Sequence, residues 1–332
     1  MLSTDQFISQ LYRAIGQVPL EEYRRWALES LRSLIHFDGA VWGSGHASTA
    51  EFHTHTHLEV SKELFDDLVA SQSINPIYQY HLNHVIEPGQ LKTPLRADTL
   101  ETLGKPVDMM ELMPDETFFQ STLYKRYFEP HGIERILSSM HFNQRSGMFT
   151  LLTLYRFDRA EVFTTAEKSM QQQLLFHLIA AASHAQFVEL QQRHQQSKVA
   201  SALCDCHGNY HEVEREFLDL IESWYGDTAR HQLPFELTEQ VTLNNGLHVE
   251  IEALGELFYI GLRPERALDK LTTREKEVVS GICNGLTFKT IAKHLDLSPS
   301  TISNHLYRIY RKLGINSRGE LVALLDSNDG QT

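Results

Sequence analysis

The chain is poor in cysteine, in positive charge and in long apolar runs. Its three cysteines, Cys204, Cys206 and Cys283, are too few for a disulfide framework in 332 residues, and the pattern around Cys283 predicts a buried helix face. A membrane span needs about eighteen consecutive apolar residues, and a secretory signal needs a basic segment followed by an apolar one. Neither is found, so we expect a cytoplasmic protein with no membrane partner.

Acidic residues outnumber basic ones, 43 to 30, which gives a net charge of −13 and at first argues against nucleic acid. The charge is unevenly distributed, however. Residues 271–326 contain eight Lys or Arg and five Asp or Glu, so this segment is net +3 and the remainder carries −16. An acidic body with a mildly basic end is typical of a regulator whose sensor should not bind DNA.

The most informative stretch is residues 298–314. Ser298 is a candidate N-cap, Pro299 suits the first helical position, and Gly314 supplies a left-handed stop. Apolar residues recur at steps of four, three and four and share one face: Ile302, Leu306, Ile309 and Leu313. The opposite face carries Ser300, Asn304, Tyr307, Arg308 and Arg311. The pattern predicts an amphipathic helix with a polar, basic outer face.

Three further helices surround this one. Thr272 and Glu275 form a capping box, a second short helix follows from Thr287, and Ser317 begins a fourth. About three residues separate the second helix from the third. Two short helices so connected, the later one with a polar outer face, indicate a helix-turn-helix that places its second helix in a major groove.

Residues 271–325 therefore resemble the four-helix DNA-binding domain of the LuxR family of bacterial transcription regulators. The matching positions are Leu271, Thr272, Arg274, Glu275, Glu277, Val278, Gly285, Leu286, Lys289, Ile291, Ala292, Leu295, Ser298, Thr301, Ile302, His305, Ile309, Lys312, Leu313, Gly314, Ser317 and Arg318. Asp296 departs from the family, which usually has Gly at the turn. Because Asp tolerates positive φ, we expect the turn to be kept.

The resemblance implies a role for individual residues. It implies base readout by Ser303, Asn304 and Tyr307, and phosphate contacts by Lys289, Thr290, Ser300, Thr301, Arg308, Arg311 and Lys312. It also implies a dimer contact through Leu321, Leu324 and Leu325, hence a homodimer on a roughly palindromic operator in double-stranded DNA. RNA polymerase is a candidate partner.

The rest of the chain predicts an α+β protein: an N-terminal α/β sandwich over residues 1–164, a small unit over 197–264 and the all-α domain over 265–332. The first segment resembles a GAF/PAS-like sensor through Tyr127, Pro130, Gly132, Ile133, Leu154, Tyr155, Arg156, Phe163, Thr164 and Glu167. The second weakly resembles a reduced PAS domain. We do not identify the spaced Trp, Tyr and Asp residues that are typical of acyl-homoserine-lactone domains. We also do not identify the early acidic pair of phosphoacceptor receivers, so neither class is favoured.

A sandwich of this kind usually holds a small-molecule effector in an apolar pocket. The candidate lining residues are Trp42, Tyr78, Tyr80, Phe119, Tyr124, Tyr127, Met140 and Phe142, and core packing is the competing explanation for each. The alternative is a regulator whose N-terminal region docks a protein partner and binds no ligand.

Residues 165–196 predict one long connecting helix. Its apolar positions lie near heptad spacing: Met170, Leu174, Leu178, Ala181, Ala185 and Val188. The spacing favours a dimer seam, with packing inside one subunit as the alternative.

Two clusters suggest a metal site. His53, His55 and His57 alternate along a predicted strand, and Cys204, Cys206 and His207 are close in sequence. A polar sheet face and a strand-turn explain them better, because no complete ligand set is identifiable. No nucleophile, base and orienting group come together either, so we expect no metal, no cofactor and no enzymatic activity.

Overall fold

The computed structural model describes residues 2–46, 51–87, 90–91, 104–143, 147–197, 199–230, 232–237, 242–243, 247–265 and 267–329. The chain separates into two compact units: residues 1–239 with 251–261, and residues 240–250 with 262–332. In the described ranges, no helix combines the length and the apolar character that crossing a membrane requires.

The first unit is built on a five-stranded sheet in the order β2-β1-β7-β6-β5. Its strands are β1 (Gly39–His46), β2 (Glu51–Leu58), β5 (Val107–Asp108), β6 (Arg135–Phe142) and β7 (Met148–Arg156), and every neighbouring pair is antiparallel. A separate two-stranded pair joins β3 (Ile86–Glu87) to β4 (Gln90–Leu91). The predicted β6–β7 hairpin is present, and its turn residues 144–146 lie outside the described part of the chain.

Helices cover both faces of this sheet, as the predicted sandwich requires. The inner face packs against α1 (Thr4–Ala14), α2 (Leu20–Leu31) and the long helix α8 (Thr165–Ser197). The outer face packs against five short helices: α3 (Lys62–Ser71), α4 (Pro76–Val85), α5 (Met109–Leu112), α6 (Asp115–Phe118) and α7 (Thr122–Tyr127). Alternation along β1 separates the two cores, since Trp42 belongs to the inner cluster and Val41 to the outer one.

The long helix α8 packs inside its own subunit. Leu174, Leu178, Ala181 and Ala185, four of the six residues proposed for a dimer seam, are buried in the inner core. The opposite side of the helix carries Phe176 and Phe187, which are 49% and 46% exposed. The apolar repeat seen in the sequence is therefore the core face, and any seam between subunits must use the other face.

A second five-stranded sheet follows α8. It contains β8 (Ala200–Cys204), β9 (Tyr210–Val213), β10 (Thr242–Leu243), β11 (Leu247–Leu254) and β12 (Leu257–Pro264), with α9 (Arg215–Tyr225) after β9. Its order, β10-β11-β12-β8-β9, repeats the connectivity of the first sheet: counted within each sheet, both run 2-1-5-4-3. The region thus repeats the topology of the N-terminal sheet with shorter strands and fewer helices.

The chain ends in four helices: α10 (Thr273–Cys283), α11 (Phe288–His294), α12 (Pro299–Leu313) and α13 (Arg318–Asp329). The mixed α and β composition of the first unit and the helical C-terminus confirm the predicted α+β class.

Candidate nucleic-acid interface

The four C-terminal helices share one apolar core. Ile302 and Ile309 of α12 are fully buried in it, while Leu306 and Leu313 pack against its edge. The other buried members are Leu271, Val278, Val279, Ile282, Ile291, Ala292 and Leu321. Because the apolar stripe of α12 faces this core, the polar stripe on the opposite side faces solvent.

A tight turn sets the geometry between α11 and α12. Asp296 takes φ 51°, as expected for the position where relatives carry Gly, and the Leu297 N–H donates to the Ala292 carbonyl at 2.8 Å. α10 and α11 also pack closely at Gly281, where an added Cβ would lie 2.8 Å from the Ile291 Cγ1. These two backbone features hold the helix pair in place.

The ends of α12 follow the capping residues of the sequence. Ser298 Oγ accepts from the Thr301 N–H at 3.1 Å, Pro299 occupies the first turn, and Gly314 ends the helix at φ 67°. Polar hydroxyls therefore surround the positive end of the helix dipole, and Arg311 and Lys312 lie in the last turn.

Comparison with known proteins agrees with this geometry. The family model described as "Bacterial regulatory proteins, luxR family" matches residues 269–325. Residues 269–325 form a LuxR-family helix-turn-helix domain. The resemblance predicted from the sequence is confirmed.

Curated relatives match part of the chain. The HTH-type regulator Rv0890c of Mycobacterium tuberculosis is 47% identical over 60 residues, 18% of this chain and 7% of that protein. YdfI, a transcriptional regulatory protein of Bacillus subtilis, is 30% identical over 105 residues, 32% of this chain and 48% of that protein. The chain thus spans less than half of the length of these relatives. A monoamine regulon transcriptional regulator of Klebsiella aerogenes is 28% identical over 170 residues, 45% of this chain and 75% of that protein.

Solved structures show only a distant similarity. SdiA of Escherichia coli has a TM-score of 0.36 and 10% identity, over 97% of this chain and 96% of that one. The N-acylhomoserine-lactone-dependent factor CepR2 of Burkholderia cenocepacia also has a TM-score of 0.36, with 16% identity, over 57% of this chain and 97% of that one. TM-scores this low do not establish a shared fold.

The predicted base-reading residues of the LuxR-type domain lie together on the outer face of α12. Ser303, Asn304 and Tyr307 are all exposed, and Tyr307, at 65%, is the most exposed of the large hydrophobic side chains described. An Asn amide can pair with adenine through two hydrogen bonds, whereas the Ser hydroxyl pairs with any base. Of these three side chains, only that of Asn304 offers the paired donor and acceptor.

The predicted phosphate-contacting cations differ in their surroundings. Lys289, Arg308 and Arg311 are exposed side chains. Lys312 is exposed as well, with 39% of its side chain accessible, but it donates to the buried Glu275 Oε2 at 2.6 Å. Burial raises the pKa of Glu275, but hydrogen bonds from Lys312 and Thr272 outweigh that effect and hold it below the ordinary value of 4.5. The Lys312 charge is therefore compensated inside the domain.

Three of the predicted phosphate contacts carry hydroxyls at helix N-termini. The Thr290 N–H donates to Thr287 Oγ1 at 3.2 Å, and the hydroxyls of Ser300 and Thr301 lie 2.7 and 2.8 Å from Ser298 Oγ. These groups form the N-terminal ends of α11 and α12, where the helix dipole favours an anion.

The predicted dimer residues are not equivalent. Leu321 is fully buried in the helical core, which assigns it to the domain interior. Leu324 is partly buried, and the side chain of Leu325 lies outside the described residues.

The thiol of Cys283 is exposed, so its predicted burial is wrong. That residue follows Ile282, the last buried position of α10.

The predicted pocket residues divide between the faces of the first sheet. Tyr124 and Tyr127 belong to the outer core, Tyr80 and Phe119 pack against it, and Met140 and Phe142 are buried on β6. Tyr78 lines an outer-face cavity of about 30 Å³, together with Val41, Phe52, Phe65 and Tyr155 among others. Trp42 lies on the inner face, beside a cavity that also contains Arg24, a residue not considered in the sequence analysis.

The two candidate metal clusters form other contacts. His53 Nδ1 lies 2.5 Å from Asp205 Oδ2, whereas His55 stacks on Phe65 and pairs with Glu256. A β-bulge at Ser44 and Gly45 interrupts the register of β1 and β2 beside His53. Within the described ranges, no three His, Cys, Asp or Glu side chains come together as a metal-binding group.

Proposed function

We propose that this protein is a transcription regulator that binds double-stranded DNA by placing α12 in a major groove. The observation that carries the proposal is the exposed face of α12, where Ser303, Asn304 and Tyr307 precede Arg308 and Arg311 on a LuxR-family scaffold. Short polar groups suit base edges and the cations suit the flanking phosphates. A chromosome-binding role implies the bacterial cytoplasm, RNA polymerase as a candidate partner and no enzymatic activity.

We infer that the protein acts as a homodimer on a roughly palindromic operator. The domain has a small positive charge, so one copy neutralises few phosphates and a second copy strengthens binding. Of the three predicted contact residues, Leu324 is the one that the structure describes as partly rather than fully buried. On α8, Phe176 and Phe187 are eleven residues apart, which places them on the same side about three turns apart. This exposed pair supports a second contact between copies.

The proposed domains are a sensor over residues 1–164, a connecting helix over 165–196, a small PAS-like domain over 197–264 and the DNA-binding domain over 265–332. Control by a small-molecule effector fits this organisation, because a helix-covered sheet precedes the DNA-binding domain. The outer-face cavity of about 30 Å³, however, is far below the roughly 300–1,000 Å³ of common ligand pockets. That observation favours the second candidate, a region that docks a protein partner, unless the ligand binds elsewhere.

The test is selection of DNA sites by the full-length protein from a pool of random duplexes. We expect enrichment of one roughly palindromic sequence with two half-sites, protected from nuclease on the same groove face. A double variant, Arg308→Ala with Arg311→Ala, should retain much less DNA of any sequence while keeping its helical circular dichroism. Recovery of no enriched sequence by the wild type, or retention of as much DNA by this variant, would contradict the proposal.

A further inference from the structure

A polar cavity lies on the inner face of the first sheet, opposite the outer-face pocket. It measures about 110 Å³ and is bounded by α2, α8 and strands β1, β6, β7 and β9. The lining side chains that matter here are Arg24, Trp42, Ser44, His141, Thr150 and His211. A neighbouring cavity of about 220 Å³ shares Arg24, Ala182 and Gln186 with it, so Arg24 borders both spaces.

The Arg24 guanidinium has neutral partners. It donates to Thr54 Oγ1 and Ser44 Oγ, both at 3.2 Å, and lies 5.4 Å from the Trp42 ring centroid. In the described part of the chain, no carboxylate oxygen lies within ion-pair distance of it. Burial lowers the pKa of Arg24 to about 10, although the charge of Glu256 opposes the shift. A partly buried guanidinium without an anion is unfavourable and leaves donors available.

The buried carboxylate of Asp205, which lies next to the cavity residue His211, is compensated by other groups. Asp205 is fully buried and accepts from the backbone N–H groups of His207 and Asn209 at 2.9 and 3.0 Å. Its second oxygen lies 2.5 Å from His53 Nδ1 and 3.1 Å from Asn209 Nδ2. These donors occupy the lone pairs of Asp205, so its charge does not neutralise Arg24.

Three buried ring nitrogens around the same cavity lack hydrogen-bond partners among the described residues: Trp42 Nε1, His141 Nδ1 and His211 Nε2. The distance from His211 Nε2 to Asp205 Oδ2 is 3.7 Å, too long for a hydrogen bond. Burial lowers the pKa of both imidazoles, which favours their neutral form. An N–H left unpaired in the interior is unfavourable, and a bound acceptor would satisfy it. The Trp42 indole N–H is a donor and each neutral imidazole carries one N–H, so these groups beside one cation suit an anion.

We propose that this cavity binds a small organic carboxylate, with the carboxylate on Arg24 and the apolar part against Trp42, Ile179 and Ala182. The two adjoining spaces fit a compact molecule, smaller than those held by common ligand pockets. The ligand contacts α2, α8 and the β9 residue His211 at once, so its binding reports on the packing of these elements. The regulatory meaning of the site rests on the proposed function, but the binding itself does not.

The test uses benzoate as the probe and benzamide, its uncharged analogue, as the ligand control. The full-length protein carries Trp26→Phe and Trp224→Phe, so that Trp42 is the remaining indole. We expect benzoate to change the Trp42 fluorescence and benzamide to bind at least about tenfold more weakly. Arg24→Gln should weaken benzoate by about tenfold or more, whereas Arg13→Gln, the same charge change at an exposed position, should not. No DNA is present, so failure here leaves the DNA-binding proposal standing.

Three results would overturn the proposal: no benzoate binding up to about 10 mM, equal binding by Arg24→Gln, or binding of inorganic phosphate in place of benzoate. A second measurement needs no ligand. Because Arg24 is an unneutralised charge, Arg24→Met should leave the melting temperature of the unliganded protein unchanged or raised. A lowered melting temperature would make Arg24 a structural residue and would also overturn the site.

Discussion

The two compact units each contain a buried or partly buried charge, and they differ in how it is compensated. In the C-terminal domain, Glu275 receives a hydrogen bond from Lys312 at 2.6 Å and caps α10 through Thr272. In the N-terminal unit, Arg24 contacts two hydroxyls and an aromatic ring. A charge that the fold has paired stabilises the fold, whereas one left with neutral partners marks a place where something else can bind.

The largest expected effect comes from breaking the paired charge. Lys312→Met leaves Glu275 buried without its cation, and we expect the C-terminal domain to lose about 2 kcal/mol, less than for a fully buried pair because Lys312 is partly exposed. Hydrogen exchange of the α10 and α12 amides in the full-length protein measures the loss locally. Lys293→Met, an exposed lysine on α11, is the control. Adding Glu275→Gln to Lys312→Met should recover most of the stability.

Acid should weaken the Lys312–Glu275 pair and leave the charge of Arg24 unchanged. The folded-state pKa of Glu275 lies below its ordinary value of 4.5, so its contribution is complete above that pH and is lost as the pH falls through the folded-state value. We expect hydrogen exchange in α10 to accelerate below about pH 4.5 in the wild type, and the Glu275→Gln variant to lack this component. Identical acid profiles for the two proteins would show that the pairing contributes nothing.

A smaller effect, on DNA binding, should distinguish Arg308 and Arg311 from Lys312, the α12 cation that is paired with Glu275. Arg308→Ala and Arg311→Ala should each weaken all DNA sequences alike and reduce the salt slope of binding by about one, with unchanged stability. Lys312→Ala should lower stability and change the slope by less than one, because its charge is already compensated. Titrations at several salt concentrations test this, and an equal slope change for all three variants would remove the distinction.

The smallest expected effect is on the equilibrium between monomer and dimer. Phe176→Glu with Phe187→Glu places charge on the exposed face of α8 and should shift a dimer toward monomer, by an amount that depends on the Leu324 contact. Sedimentation of the full-length protein measures the shift, with Leu174→Ala as a core control that should lower stability without specific dissociation. An unchanged dimer would exclude this face as a contact.

The helices of the C-terminal domain could be predicted almost completely, because the sequence signals that define them lie within a few residues of one another. The caps at Ser298, Thr272 and Gly314, the stripe through Ile302 and Ile309, and the turn at Asp296 each act within a few residues. The pairing of Lys312 with Glu275 could not be predicted, because the two residues are 37 positions apart and meet only when α10 and α12 pack.

For the N-terminal unit, the sequence predicted a helix-covered sheet but not the cavity around Arg24. Periodicity predicted the long strands and a helix over residues 165–196, yet it could not tell whether the apolar repeat of α8 faces a partner or its own sheet. Arg24 was overlooked for a related reason. Its cavity is assembled from α2, three strands of one sheet, β9 and α8, and no sequence interval connects these residues.

The measurement that tests the central claim most directly is the affinity of the wild type and Asn304→Ala for a selected site and for random DNA. We propose that the amide of Asn304 is the most specific base reader on α12, so the variant should bind the selected site about 10- to 100-fold more weakly and random DNA almost equally well. Asn316→Ala, an exposed asparagine outside α12, should behave as wild type. An equal loss on both DNAs would contradict base readout by α12.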